Sequence, residues 1–304
     1  MRLYYADDYV LAAYGFDTTR KARWIAESLR ADPIAGVELV APRPLDEAEI
    51  AAVHDPAYVA AVRDGVPREL AESNELSWDP GLWPMVRASN GGAVAAALAA
   101  LESGGVAGSL SSGLHHAKRE RGDGYCTFNG LALAARAALA ARAALAAGAG
   151  SLLIVDLDAH CGGGTFQLLR DEPRVRQVDL AVNAYDAYDD SPRMTLDLVG
   201  DAADYLPTLG RRLAALDGTQ FDLVLYNAGM DPHEGCDIGG LRGMTQEILA
   251  AREATVFAWT RARALPTAFV IAGGYSGSRL SEEELVALHR LTIGAAASSA
   301  AAGG

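Results

Sequence analysis

Cysteine is scarce in this chain of 304 residues: only Cys126, Cys161 and Cys236 occur, an odd number with no Cys-x-x-Cys spacing. That excludes a disulfide framework and reads as reduced, cytoplasmic thiols. Basic residues are also short, 26 Lys and Arg against 39 Asp and Glu, for a net charge of -13. Such a balance argues against a non-specific nucleic-acid binder. It favours a cationic substrate or partner, unless the acidity serves only solubility. A basic region followed by an apolar run is missing at the start, where MRLYYADDYV carries acids, so no signal peptide is read and the cytoplasm is expected. Long uninterrupted hydrophobic runs are absent too. The longest apolar stretch, Leu131 to Ala147, is broken by Arg136 and Arg142 and is mostly weakly apolar alanine, so it reads as a packed helix and not a membrane span. No Pro/Ser linker divides the chain, which predicts one domain over 1–304, with the terminal AAASSAAAGG (295–304) frayed.

What is present is a regular alternation of short apolar runs and longer helical patterns. Strands are predicted at Leu3–Tyr5, Val37–Val40, Val106–Leu110, Leu152–Val155, Val178–Val182, Leu223–Tyr226 and Ala268–Ile271. Helices are predicted near 18–31, 56–64, 84–103, 129–147, 202–216, 245–264 and 281–299, the sixth with a capped start at Thr245 and Glu247. The pattern implies an α/β fold: a single domain with a central, mostly parallel β-sheet and helices on both faces. The runs at 152, 223 and 268 are apolar throughout, as central strands buried on both sides require.

Four of these strands run into chemically dense segments. Ser-Ser-Gly-Leu-His115-His116 follows the first, and Asp156-Leu-Asp158-Ala-His160-Cys-Gly-Gly-Gly-Thr the second. Asn-Ala-Gly-Met-Asp231-Pro and Ala-Gly-Gly-Tyr275 follow the others. Ligands of open α/β sheets bind beyond the carboxyl ends of the strands, so these segments should meet on one rim. Asp158, His160 and Asp231 would supply three ligands to a divalent ion and leave a position open, as catalytic zinc requires; iron(II) or cobalt(II) suits the same geometry. A water held by such an ion becomes acidic enough for a neighbouring histidine to take its proton. His115 and His116 are placed for that, and Asp156 is the natural partner for one of them. Gly273 and Gly274 would let the backbone pass close to a substrate, and the Tyr275 phenol could donate to a developing oxyanion. Taken singly, each residue also has a bland explanation as a turn, a cap or a core polar group.

The stretches GLHHAKRERGDGYCTFNG, VDLDAHCGGGTFQLL, NAGMDPHEGCDIGGL and IAGGYS, with a fainter VHDPAYV at 53–59, resemble the histone deacetylase family of the arginase/deacetylase fold. The resemblance runs over roughly 85–290. It implies an amide hydrolase acting on acylated lysine side chains, polyamines or related small amines. By position it implies Asp158, His160 and Asp231 as zinc ligands and His116 as general base and acid. His115 is then the neighbour paired with Asp156, and Tyr275 the group that polarises the carbonyl. Gly124 and Tyr125 fall at one wall of the acyl-amine tunnel, and Tyr188 is aligned with the facing wall. Potassium is implied beside the zinc site, on Asp156, Asp158 and backbone carbonyls near His160.

The chain departs from the pattern at Gly163, where many members have Asp, Asn or Gln supporting the second histidine. It departs again at Cys161 and at Asn183, each a histidine in many members, and the segment GFDTTRKAR echoes the family's only loosely. These departures predict a His116 without its usual support. They motivate a second reading, a weakly catalytic acyl-amine-binding or sensor protein on the same scaffold. A ureohydrolase of the arginase type needs a further Asp- and His-rich set for two manganese ions, which is absent. Glu75 and Asp79 are candidate rim acids for a cationic amine, with plain loop acids as the alternative. The sequence leaves oligomeric state open, a homodimer included; nucleic acid and membrane are not expected partners.

Overall fold

A computed structural model describes residues 1–12, 14–144 and 150–302. Its strands are β1 (Arg2–Tyr4), β2 (Glu38–Val40), β3 (Val106–Ser109), β4 (Leu152–Asp156), β5 (Val175–Ala181), β6 (Met194–Leu198), β7 (Leu223–Gly229) and β8 (Thr267–Ala272). They form one eight-stranded sheet in the order β2-β1-β3-β8-β7-β4-β5-β6. Every pairing in it is parallel, where the sequence predicted a mostly parallel sheet.

The helices are α1 (Lys21–Ala31), α2 (Glu47–Ala51), α3 (Pro56–Asp64), α4 (Arg68–Ala71), α5 (Leu82–Ser103), α6 (Gly130–Ala144), α7 (Gly163–Leu169), α8 (Ala202–Ala214), α9 (Gln246–Ala262) and α10 (Glu282–Ala301). Strand alternation sorts the core into two layers. Leu153, Val155, Val224, Tyr226, Phe269 and Ile271 face the layer built with α1, α8, α9 and α10. Leu152, Ile154, Leu223, Leu225, Ala268 and Val270 face the layer built with α3, α5 and α6. β4, β7 and β8 are buried at every residue, which is why they read as unbroken apolar runs.

Local signals account for several ends. Asp55 accepts from the Ala57 N–H with Pro56 in the first turn, and Gly65 closes α3 at φ 72°. Ser281 and Glu284 form a capping box that starts α10. Thr245 stands at the amino-terminal cap of α9, but its side chain makes no capping hydrogen bond. Other elements had no usable signal. β6 is a half-exposed edge strand pairing only with β5, so it lacks an apolar run. α7 opens with two poor helix formers, Gly163 and Gly164. α10 continues through Ala301, past where fraying was expected, because Ala296, Ala297 and Ser299 are buried. The predicted extension of the fourth helix to 147 lies outside the described residues, as do 303–304. Among the described residues, no helix is long and apolar enough to cross a membrane.

Behind the carboxyl ends of β4 and β7 lies a buried ion pair. Arg252 Nη2 is 2.6 Å from Glu253 Oε1, which also accepts 2.7 Å from the Tyr226 hydroxyl. Arg252 Nη1 donates to the Leu157 carbonyl at 3.1 Å, one residue before Asp158. Removing one partner of a buried pair leaves an uncompensated charge, so Arg252→Ala is expected to destabilise the protein by about 3–5 kcal/mol in urea unfolding. A loss below ~1 kcal/mol would show that this pair does not hold the strand ends.

Candidate active site and its relatives

β3, β8, β7 and β4 are consecutive neighbours at the centre of the sheet. Each carries one of the dense segments at its carboxyl end, so strand order brings together residues from 115 to 275.

Asp158, His160 and Asp231 lie with one ligand atom of each within 4.8 Å of the others. His160 Nδ1 is 3.2 Å from Asp158 Oδ1 and 3.2 Å from Asp231 Oδ2. Asp231 Oδ1 accepts from the Ala159 N–H at 3.0 Å, whereas its buried Oδ2 has no hydrogen-bond partner. An orphaned carboxylate oxygen beside a second carboxylate and an imidazole is the donor set of a divalent cation. Burial opposes charge on these groups. Even so, His160 and His115 hold the Asp158 carboxyl well below its ordinary range, while burial and Asp158 push Asp231 up to about 6.

Asp156 stands outside this triad. Its Oδ2 is 2.8 Å from His115 Nδ1, and its Oδ1 accepts from Asn227 Nδ2 at 2.8 Å. The row Asn227–Asp156–Asp179 follows from the register of β7, β4 and β5. His115 Nε2 is 3.1 Å from His116 Nε2. Burial works against a charge on His115, yet Asp156 and Asp158 outweigh it and raise its pKa to about 10. Burial, and then the charge of His115, push His116 down to about 4. The pair is therefore split into one cationic and one neutral imidazole at neutral pH.

The expectation that His116 lacks support is overturned. Its Nδ1 is 3.0 Å from Asp186 Oδ2, and Asp186 also pairs with the Lys118 ammonium. The carboxylate comes from the loop between β5 and β6, so no local spacing in the sequence announces it. His54, in the VHDPAYV stretch, braces the segment between β3 and α6 that carries His115, His116 and Lys118. The Asn129 N–H donates to its Nε2 at 3.0 Å, which leaves Nδ1 to donate to the Lys118 carbonyl at 2.8 Å.

A cavity of about 260 Å³ opens over the histidines, lined by Glu75, His116, Gly124, Tyr125, His160, Asn183, Tyr185, Ile238 and Tyr275. Gly124 and Tyr125 border it. Tyr188 does not: it stacks on Phe166 with centroids 4.3 Å apart, and its hydroxyl donates to the Thr195 carbonyl. Tyr185 occupies the facing position, its ring 5.0 Å from that of His116 and its hydroxyl 2.7 Å from Asp123 Oδ1. Gly273 and Gly274 do not line the cavity either. A Cβ at Gly273 would fall 2.1 Å from Asp231 Oδ1, so the glycine makes room for a carboxylate and not for substrate. Of the two rim acids, Glu75 reaches the cavity, whereas Asp79 Oδ1 accepts from the Gly81 N–H as an ordinary turn acid. A larger cavity of about 800 Å³ lies at the opposite end of the sheet around Met1, Gly104, Gly105 and Ala264, away from all these groups.

The segment GFDTTRKAR, a loose echo of the family's in sequence, braces Tyr275. Phe16 packs between Tyr125 (4.2 Å) and Tyr275 (5.2 Å). Asp17 Oδ2 accepts from the Ser276 hydroxyl at 2.7 Å. Lys21, fully buried, donates to the Ala272 carbonyl at 2.8 Å and to that of Gly273. Burial lowers its pKa to about 8, against the pull of Asp231 and Asp158. A charged residue inside an otherwise helical segment gives no sign that it will be buried. Burial, with Asp231 and Asp158 nearby, also pushes the Tyr275 phenol well above its ordinary range, so it stays a donor.

The description "Histone deacetylase domain" matches residues 15–291. An uncharacterised protein of Picosynechococcus sp. is 35% identical over 237 residues, 76% of each chain. Histone deacetylase 2 of Arabidopsis thaliana is 31% identical over 218 residues, 69% of this chain and 54% of its own. Polyamine deacetylase HDAC10 of Rattus norvegicus is 33% identical over 139 residues, 42% of this chain and 23% of its own. The chain thus spans about half or less of the length of these last two. An acetylpolyamine aminohydrolase from Burkholderia pseudomallei shares the fold, with a TM-score of 0.76 at 20% identity over 97% of this chain and 98% of that one. On these matches the chain belongs to the histone deacetylase family.

Proposed function

We propose that this hydrolase is zinc-dependent and removes acyl groups, acetyl first, from a cationic amine: a polyamine, a lysine side chain or a related small amine. The observation that carries the reading is the Asp158–His160–Asp231 set, with its orphaned Asp231 oxygen, placed beside the His115–His116 pair and Tyr275 at one cavity. Asp158, His160 and Asp231 would hold the ion, zinc before iron(II) or cobalt(II). When bound it would lower the pKa of a water and polarise the amide carbonyl. His116, neutral and with Nδ1 engaged by Asp186, has its Nε2, 3.1 Å from His115 Nε2, as the site that would take the proton of an attacking water. It returns the proton to the leaving nitrogen, so the amine departs neutral. Tyr275 donates its phenolic hydrogen to the carbonyl oxygen as charge develops there. His115, held by Asp156, places a positive charge beside the reacting atoms.

Potassium is proposed alongside, on Asp156, Asp158 and carbonyls near His160. Asp179 supports it: this buried carboxyl faces Asp156, and its Oδ1 has no partner. The cysteines are free and buried, which suits a cytoplasmic enzyme. The Asp186 contact with His116 supports the catalytic reading over a weakly catalytic acyl-amine-binding or sensor protein, since support missing at Gly163 comes from elsewhere.

The test is hydrolysis of acetyl-lysine peptides, acetylated polyamines and longer acyl amines by zinc-, iron- and cobalt-loaded protein. If no member is cleaved above the buffer rate with any metal, the reading fails. Within that panel, Glu75→Gln is expected to raise KM about 2- to 5-fold for substrates with a distal ammonium, as for an exposed pair worth up to ~1 kcal/mol. Neutral acyl amides should be unaffected, and equal changes for both would remove Glu75 from recognition.

A further inference from the structure

Three departures from the family pattern, at Cys161, Gly163 and Asn183, converge on one loop. The Cys161 N–H donates to the Tyr185 carbonyl at 3.0 Å, and Cys161 Sγ lies 3.3 Å from the Asn183 carbonyl. The Tyr185 N–H donates to Asn183 Oδ1 at 2.8 Å. These contacts fold residues 183–186 back onto the end of β4. Asp186 then sits at φ 60°, a left-handed conformation that Asp tolerates better than most residues. There its Oδ2 accepts from the Gly164 N–H at 3.1 Å as well as meeting His116 Nδ1 at 3.0 Å. Position 163 has no side chain, and none would fit: a Cβ there would stand 2.3 Å from the Asp186 carbonyl oxygen and 2.4 Å from its Oδ1.

We infer that Asp186, clamped by Lys118, is the positioning residue for His116, delivered from the β5–β6 loop into the space that glycine at 163 leaves open. The inference rests on the proposed role of His116 in proton transfer. Asp186 accepts at Nδ1, which fixes the ring plane and the tautomer and leaves Nε2, 3.1 Å from His115 Nε2, as the basic nitrogen. The Lys118 ammonium shares the same carboxylate, so Asp186 acts mainly as an oriented acceptor. Gly163, Cys161 and Asn183 are then parts of one relocated support and not marks of decay.

The experiment compares Asp186→Ala, Asp186→Asn and Gly163→Asp in metal-loaded full-length protein. Asp186→Ala is expected to lower kcat about 10- to 100-fold, the usual effect of removing an outer hydrogen-bond partner, with KM within about 2-fold. Asp186→Asn keeps an acceptor oxygen and should recover most of kcat. Gly163→Asp should lower kcat, because the new side chain displaces Asp186; a chain lacking support would instead gain activity. Wild-type kcat in Asp186→Ala, equal losses in the Ala and Asn variants, or a gain in Gly163→Asp would each overturn the inference. Imidazole 15N NMR gives a readout independent of turnover: His116 should carry its proton on Nδ1 in wild type and in Asp186→Asn, but not in Asp186→Ala. Should wild type prove inactive, the deacylase reading falls, and an unchanged His116 tautomer in Asp186→Ala would separately refute the role of Asp186.

Discussion

Replacing Asp158 by alanine is expected to abolish stoichiometric zinc binding and to bring amide hydrolysis down to the buffer rate. Asp158 Oδ1 lies 3.2 Å from His160 Nδ1 and also accepts the His160 N–H at 3.0 Å, so its loss removes one ligand and the group that orients another. With two ligands left, a three-ligand catalytic site is no longer formed. The buried, unpartnered Oδ2 of Asp231 would then face a histidine alone. Metal content after dialysis and kcat/KM on the best acyl-amine substrate test this together. Thermal unfolding adds a third readout. Zinc at 100 times its dissociation constant should stabilise wild type by about 2.7 kcal/mol and leave Asp158→Ala unmoved. A variant that retains one equivalent of zinc and turns over normally would remove Asp158 from the site.

His116→Ala is expected to lower kcat by about 10²- to 10⁴-fold with little change in KM, the range for losing a general acid–base group. The ring is buried, and burial together with the neighbouring His115 charge holds its pKa near 4. The base must be deprotonated to act. Wild-type rate should therefore stay level as pH falls from 8 to about 5, then drop as His116 takes up a proton near 4. His116→Ala should lack that acid limb. A wild-type profile that already falls between pH 7 and 6 would show that another group is the base. An Ala variant with undiminished kcat would exclude His116 from proton transfer altogether.

Much of this site was legible along the chain. Strands buried on both faces carry apolar runs, so the ends of β3, β4, β7 and β8 were placed within a few residues, and with them His115, His116, Asp158, His160, Asp231 and Tyr275. β6 was not legible, because an edge strand packs on one neighbour and needs no such run. Tyr185, and not Tyr188, lines the cavity. In a loop nothing fixes which of two nearby aromatics turns inward; here the Asn183 and Cys161 contacts decide it. The burial of Lys21 is not legible along the chain, because it depends on the Ala272 and Gly273 carbonyls, 251 and 252 positions away. Gly163 was read as a missing support, whereas it is the space into which Asp186 fits.

The sequence by itself determined the α/β class, the strands that form the sheet centre and the residue types that gather beyond them. Those properties follow from local periodicity and from the chemistry of short segments. Only the tertiary structure decided which carboxylate holds His116, which tyrosine faces the cavity, and why Gly163 and Gly273 must lack side chains. These are questions of how separate loops share one small volume. Their answers lie in steric exclusion and hydrogen bonds between residues far apart in the chain, which no local pattern records.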